Sequence, residues 1–204
     1  MAPRIAIIYY TTYGHIARLA EAEKKGIEEA GGKVDVYQVR ETLSNDVLSK
    51  MYAPGPDKNV PVATPDTLKA YDAFLFGIPT RYGSYPAQWK TFIDELGQLW
   101  MSGALHGKYF GLFVSSATAG GGQEATAINA LSSWIHQGMI YVPLGYAGAF
   151  DILGDLTEVR GGTPWGAGTF AAGDGSRQPT TQELKLAQAQ GKSFYQIVNK
   201  VAFA

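Results

Sequence analysis

A doubly wound parallel α/β sheet is the fold that this sequence of 204 residues predicts, and three observations point to it. Short apolar runs rich in β-branched and aromatic residues recur at 5–10, 73–78, 109–114 and 139–142, the pattern of strands buried on both faces. Apolar residues at helical spacing fill the stretches between them. Glycine and proline mark the changeovers, as at Gly31, Gly32 and Pro79. Such alternation builds βαβ units, and right-handed crossovers favour the strand order 2-1-3-4-5, with five strands, helices on both faces and one domain over 1–204.

The first run, 5–10, is the expected central strand. The helix after it carries Ile16, Leu19, Ala20, Ile27 and Ala30 on one face and stops at the two glycines. Val34, Val36 and Val39 read as a half-buried second strand. Four of the ten prolines fall within 44–66, which predicts a loop with room for one short helix. After the third strand, Ser84 and Pro86 announce a helix lined by Trp89, Phe92, Ile93, Leu96 and Leu99. The fourth strand leads into SSATAGGGQE and a helix whose expected inner face is Ile128, Leu131 and Ile135. Thr180 and Glu183 have capping-box spacing and open the last helix, with Leu184, Ala187, Phe194, Val198 and Val201 as its apolar face. The stretch 143–178 is too long for a simple connection, so it is expected to be functional or to pack against another subunit.

Composition removes several classes of function. Lys and Arg number 17 against 18 Asp and Glu, a formal net charge of -1, so there is no basic footprint for nucleic acid or for a polybasic membrane contact. Without cysteine there are no disulfides, zinc–thiolate or iron–sulfur sites and no thiol nucleophile. The opening MAPRIAIIYY lacks the build of a signal peptide, and no apolar stretch reaches a membrane-spanning length. A soluble, cytoplasmic protein is expected, with a peripheral position at membranes left open. Gly at 25 residues, beside 12% aromatics, points to main chain approaching a flat ligand.

In the predicted sheet a ligand binds beyond the carboxyl ends of the strands, between strands one and three. The loop TTYGHI at 11–16 combines two hydroxyls, a glycine and the opening amides of a helix, which suits a phosphate. The alternative is a capped helix start with nothing bound. No P-loop lysine is present, which disfavours a nucleoside triphosphate. PTRYGSYP at 79–86 sets Arg81 between aromatics and glycine, where it can face a planar or anionic ring. SSATAGGG at 115–122 offers hydroxyls and bare amides to a polar ring edge. The dinucleotide-like spacings at Gly120, Gly122 and Ala125 and at Gly166, Gly168 and Ala171 follow no first strand and are weak. His15, His106 and His136 lack metal-ligand spacing, so no metal is expected. No G-x-S-x-G elbow supports Ser115 or Ser116 as a nucleophile.

Taken together, YYTTYGHI, GIPTRYG, LWMSGALHGK, AGGGQE, HQGM, RGGTPWGA and GDGSRQPT, in this order, resemble the tryptophan-repressor-binding-protein-like family of flavodoxin-fold NAD(P)H:quinone oxidoreductases. The resemblance spans nearly the whole chain and is nearest to the fungal benzoquinone reductases. It implies non-covalent FMN. Thr11, Thr12, Tyr13, Gly14, His15 and Ile16 would wrap its phosphate, and Pro79, Thr80, Arg81, Tyr82 and Gly83 would contact the ring. Ser116, Ala117, Thr118, Ala119, Gly120 and Gly121 would follow its polar edge and ribityl chain. SSATAGGG lacks a glycine between hydroxyls that bacterial members carry, a departure that bears on affinity. His136 matches the histidine bordering the open face of the flavin. Trp100 matches an aromatic wall that a neighbouring subunit of a tetramer supplies, and with Tyr13 it would border the substrate.

The implied chemistry is a ping-pong hydride relay from NAD(P)H to a benzoquinone-type quinone, with Arg81 and His136 as the residues nearest catalysis. Preference between NADH and NADPH has no sequence signature. Two rivals share the fold: a one-electron carrier that docks on proteins, and an FMN-binding scaffold without turnover. Near-neutral charge favours the enzyme over the carrier.

Overall fold

The computed structural model describes residues 1–203. In chain order the elements are β1 (Ile5–Tyr9), α1 (His15–Glu29), β2 (Val34–Gln38), α2 (Asn45–Lys50), α3 (Pro65–Ala70), β3 (Ala73–Pro79), α4 (Ala87–Asp94), α5 (Gly97–Ser102), β4 (Tyr109–Ser116), α6 (Gln123–His136), β5 (Ile140–Tyr141), α7 (Phe150–Leu153), β6 (Gly168–Phe170) and α8 (Thr181–Val198). The sheet runs β2-β1-β3-β4-β5, every pair parallel. The order is the one expected, and the centre of the sheet is β1, β3 and β4, almost wholly buried.

Period-two alternation splits these strands between two cores. Ile5, Ile7, Ala73, Leu75 and Phe113 face α1 and α8. Ala6, Ile8, Phe74, Phe76, Phe110 and Leu112 face the layer of α3 to α6. Many of the large aromatics, Phe74, Phe76, Trp89, Phe110 and Trp134 among them, are spent on this second core rather than on a ligand. Phe76 stacks on Trp134 with ring centroids 4.0 Å apart, and Trp89 meets both edge-on. Removing such a ring costs about 3–5 kcal/mol.

The fifth strand position differs from the expectation in an informative way. It is occupied in two pieces: β5 pairs with the start of β4 (Tyr109↔Ile140), and β6 pairs with its end (Ser116↔Phe170). The long stretch after Tyr141 is therefore an excursion out of the edge strand, which returns to complete it. Buried amides hold the return: Gln123 Nε2 donates to Thr169 O, and Gln190 accepts from Ala167 N and donates to Leu112 O.

Three helical expectations need correction. Residues 44–66 contain one short helix and the start of a second, α3, capped by Thr64 with Pro65 in its first turn. The single helix expected around 87–99 is two, interrupted at Glu95–Leu96 just before Gly97. On α6 the buried face is Gln123, Thr126, Ala127, Ala130 and Trp134, while Ile128 and Ile135 point outward. The bulk of Trp134 fills the space, so only small residues fit beneath the rest of the helix.

The α1/α8 crossing hides a charge problem. Gly191 brings α8 so close that a Cβ there would lie 2.1 Å from the Glu23 carbonyl oxygen. The Glu23 side chain is fully buried at this contact, and neither carboxylate oxygen has a hydrogen-bond partner. Burial pushes its pKa well above the ordinary carboxylate value. A raised folded-state pKa means stability is full below the unfolded value of about 4.3 and is lost as pH rises toward the folded one. Glu23→Met is expected to stabilise the protein by roughly 1–3 kcal/mol at pH 8, and by less at pH 4. Urea unfolding at the two pH values measures both.

Candidate functional site

The carboxyl ends of β1, β3 and β4 open on a cleft of about 540 Å³, within the range of small-molecule and cofactor sites. Thr11, Thr12, Tyr13 and His15 line it from the loop after β1. Pro79, Thr80 and Arg81 come from the end of β3, and Ser115, Ser116, Ala117 and Gly121 from the end of β4. The three loops expected to converge do so at the point where strand order reverses.

The main chain around the cleft is built to leave donors free. The N-cap of α1 is Gly14, at φ 90, with no side-chain cap, so the opening amides of the helix are orphaned beside the cleft. Helix α6 likewise starts at a left-handed glycine, Gly122, without a cap. Of the other helices, α2, α3 and α8 are capped by Ser44, Thr64 and Thr180, and α4, α5 and α7 have no side-chain cap. Uncapped helix starts meeting at one cleft suit a bound anion such as a phosphate.

The second loop is a tight hairpin. Arg81 and Ser84 exchange backbone hydrogen bonds of 2.9 and 3.0 Å, and Tyr82 and Gly83 both have positive φ, 53 and 76, as in a type I′ turn. Thr80 Oγ1 accepts from Gly83 N at 3.1 Å and lies 2.6 Å from Thr126 Oγ1, while Asn129 Nδ2 donates to Gly83 O at 2.6 Å. The turn is thereby pinned to α6. Arg81 donates to Thr80 O and, at 3.0 Å, to Thr12 Oγ1, joining the first two loops. Among the described residues no carboxylate pairs with it.

Behind Thr12, Tyr10 donates to Glu41 at 2.8 Å, and Gln88 donates to the same carboxylate at 2.8 Å. Burial, reinforced by this carboxylate, pushes the Tyr10 hydroxyl up to about 12. Burial also raises Glu41, but the Leu43 amide, Tyr10, Gln88 and the Thr42 amide outweigh it and hold the carboxylate below its ordinary value. Glu41 is an ionised anchor for this side of the cleft.

The remaining predicted residues divide. Gly14 provides the turn into α1, and the Ile16 side chain is wholly buried in the core, so only its amide faces the site end of the helix. Thr118, Ala119 and Gly120 are the exposed crest of the third loop. The Tyr82 ring stands fully in solvent and Gly83 supports it from the turn. His136 and Trp100 are not at this cleft. His136 closes α6, about 20 Å from the helix start by the rise per residue, at the opposite end of the sheet. Trp100, 60% exposed on α5, precedes β4 and lies at that same far end. Neither residue lines the cleft of its own chain.

One wall went unrecognised in the sequence. Ala171, Ala172, Gly173, Asp174 and Gly175 line the cleft after β6. The available signal was GDGSR itself, a turn sequence just beyond an edge strand. The Ser176 hydroxyl and amide hold the Asp174 carboxylate below its usual range, so a fixed negative charge marks the mouth.

Strand order and a cleft at the β1/β3 switch point define a flavodoxin-like protein. In fold it is similar to a WrbA-like flavodoxin from Agrobacterium tumefaciens, with a TM-score of 0.64 at 23% identity over 97% of this chain and 98% of that one. Residues 3–151 match the family described as NADPH-dependent FMN reductase, and the chain belongs to that family of oxidoreductases. It is 62% identical over 200 residues to the NAD(P)H quinone oxidoreductase PST3 of Candida albicans, covering 98% of this chain and 100% of that one. It is 60% identical over 201 residues to minor allergen Alt a 7 of Alternaria alternata, covering 98% of each.

Because Gly14 holds φ 90 with open space around it, Gly14→Ala is expected to cost about 1–2 kcal/mol through backbone strain alone. Equilibrium unfolding of the ligand-free protein reads this.

Proposed function

We propose that the protein is an FMN-dependent NAD(P)H:quinone oxidoreductase acting on benzoquinone-type quinones in a ping-pong order. The observation that carries this reading is the uncapped start of α1, open on a cleft that the Thr80–Arg81 turn and the β4 loop close from the other sides. The high identity to a relative named as an NAD(P)H quinone oxidoreductase supports the substrates.

The residues present fit FMN. The amides of Tyr13, His15 and Ile16 and the Thr11 and Thr12 hydroxyls suit a phosphate, while the Gly14 amide donates to Thr11 Oγ1 at 3.0 Å; the Ser116 to Gly121 main chain suits a polar ring edge. Bound there, the flavin supplies the two-electron relay between nicotinamide and quinone, which visit the same space in turn. Arg81, held by Thr12 and Thr80, offers a fixed positive charge to negative charge developing on the ring. The Glu41–Tyr10 pair keeps the floor beneath Thr12 rigid.

The assembly we infer is a homotetramer. Trp100 and Met101 on α5 and Ile128 and Ile135 on α6 expose large apolar side chains on the helices that carry His136 and Trp100. Covering that surface with other copies would bring a second copy's Trp100 and His136 over the cleft, where the aromatic walls the substrate and the imidazole meets a quinone oxygen. A cytoplasmic location, where NAD(P)H is at hand, belongs to the same reading.

The test is the visible spectrum of FMN-loaded protein under anaerobic NADH or NADPH, followed by benzoquinone. Bleaching and then return of colour is expected; a bound flavin that neither nicotinamide bleaches would overturn the reading in favour of a carrier. Arg81→Ala is expected to slow the nicotinamide half-reaction roughly 10- to 100-fold, equivalent to one hydrogen bond to a charged group. His136→Ala is expected to slow the quinone half-reaction selectively, as stopped-flow timing of each half will show. Trp100→Ala is expected to raise the quinone KM and to shift the mass in sedimentation.

A further inference from the structure

The unpredicted wall at Ala171–Gly175 is held by one side chain. Glu183, at 0% exposure in the first turn of α8, receives donors from three directions. The excursion donates through Gly161 N at 2.7 Å. Strand β6 donates through Thr169 Oγ1 at 2.7 Å and Phe170 N at 3.3 Å. The helix cap donates through Thr180 N at 2.8 Å, and Arg177 Nη1 lies 3.1 Å from both carboxylate oxygens. A carboxylate this saturated is a rigid fixture.

Arg177 carries that rigidity to the cleft. Its guanidinium also donates to Phe170 O at 2.6 Å and to Val159 O at 3.0 Å, and lies over the Phe170 ring. Its amide donates to Ala171 O at 3.1 Å, closing 171–177 into a compact loop. Its carbonyl accepts from the His15 ring at 2.9 Å; a carbonyl only accepts, so Nε2 carries the hydrogen. The other end of the loop is tied by Ala171 N to Ser116 O at 2.8 Å. Ala172 is held at φ 63, a left-handed conformation that a free alanine avoids. The loop thus bridges the start of α1 and the end of β4, with its geometry set from Glu183.

We propose that Glu183 is a positioning residue for the flavin phosphate: through Arg177 it sets the Ala171–Gly175 wall and the His15 ring around the opening amides of α1. This rests on the FMN reading above. It assigns the wall to the phosphate end of the cleft, because His15 is the first residue of α1 and Arg177 meets it there.

FMN and riboflavin, which differ only by the phosphate, separate this role from a merely structural one. Dissociation constants from flavin fluorescence quenching are measured for the wild type, Glu183→Gln and Arg177→Met, with thermal unfolding of each ligand-free protein. Arg177→Met removes the charge but keeps a stem against Phe170, and it decides the matter where Glu183→Gln does not fold. The expected result is at least a tenfold weaker affinity for FMN, with riboflavin affinity changed less than twofold. Equal weakening for both ligands, or none for either, would overturn the proposal while leaving the cofactor reading intact. Failure of the wild type to bind FMN would overturn both.

Discussion

With β1, β3 and β4 buried on both faces, every connection between them has to lay a helix over one face or the other. The crossover from β1 to β2 carries α1 to one face, and the crossovers on the other side of β1 carry the helices after β3 and β4 to the opposite face. Where the two directions part, the loops after β1 and β3 diverge and leave a cleft between them. The site follows from the packing constraint: wherever strands with no wet face reverse their winding, helix starts and strand ends meet with unspent main-chain donors.

Polar groups finish what the apolar layers begin. The edge strand is broken by an excursion, and its second piece is returned to β4 by side chains that stand in for a continuous ladder. Gln123, Gln190 and Glu183 are each nearly inaccessible to solvent, and their main contacts reach this returning stretch. A buried polar side chain is costly unless satisfied, and these three are satisfied by main chain that otherwise would be orphaned itself. The fourth wall of the cleft exists because this exchange balances. Glu23, with no partner at all, shows the opposite case within the same fold.

The distribution of large apolar side chains separates core from surface function. Aromatic rings, whose abundance pointed to a flat ligand, are packed in the layer beneath α4 and α6, where Phe76, Trp89 and Trp134 fix the helix positions. Among the exposed large apolar side chains, Trp100, Met101, Ile128 and Ile135 lie on α5 and α6. Of these helices, the end that carries His136 is the one far from the cleft.

By itself the sequence determined the strand order, the two-layer burial and the three loops at the switch point, because each is written in local periodicity: β-branched runs for doubly buried strands, glycine and hydroxyl residues where a helix opens on a ligand. It also carried the motifs by which family membership is legible. Only the tertiary structure decided that Ile128 and Ile135 face outward, since their spacing fits a helix face equally well and the volume of Trp134 selects which one is buried. Only it joined the two halves of the fifth strand, whose pairing depends on residues some 30 positions apart. It placed Ala171–Gly175 in the cleft and His136 away from it for the same reason: proximity across a sheet is set by long-range packing, to which local pattern is blind.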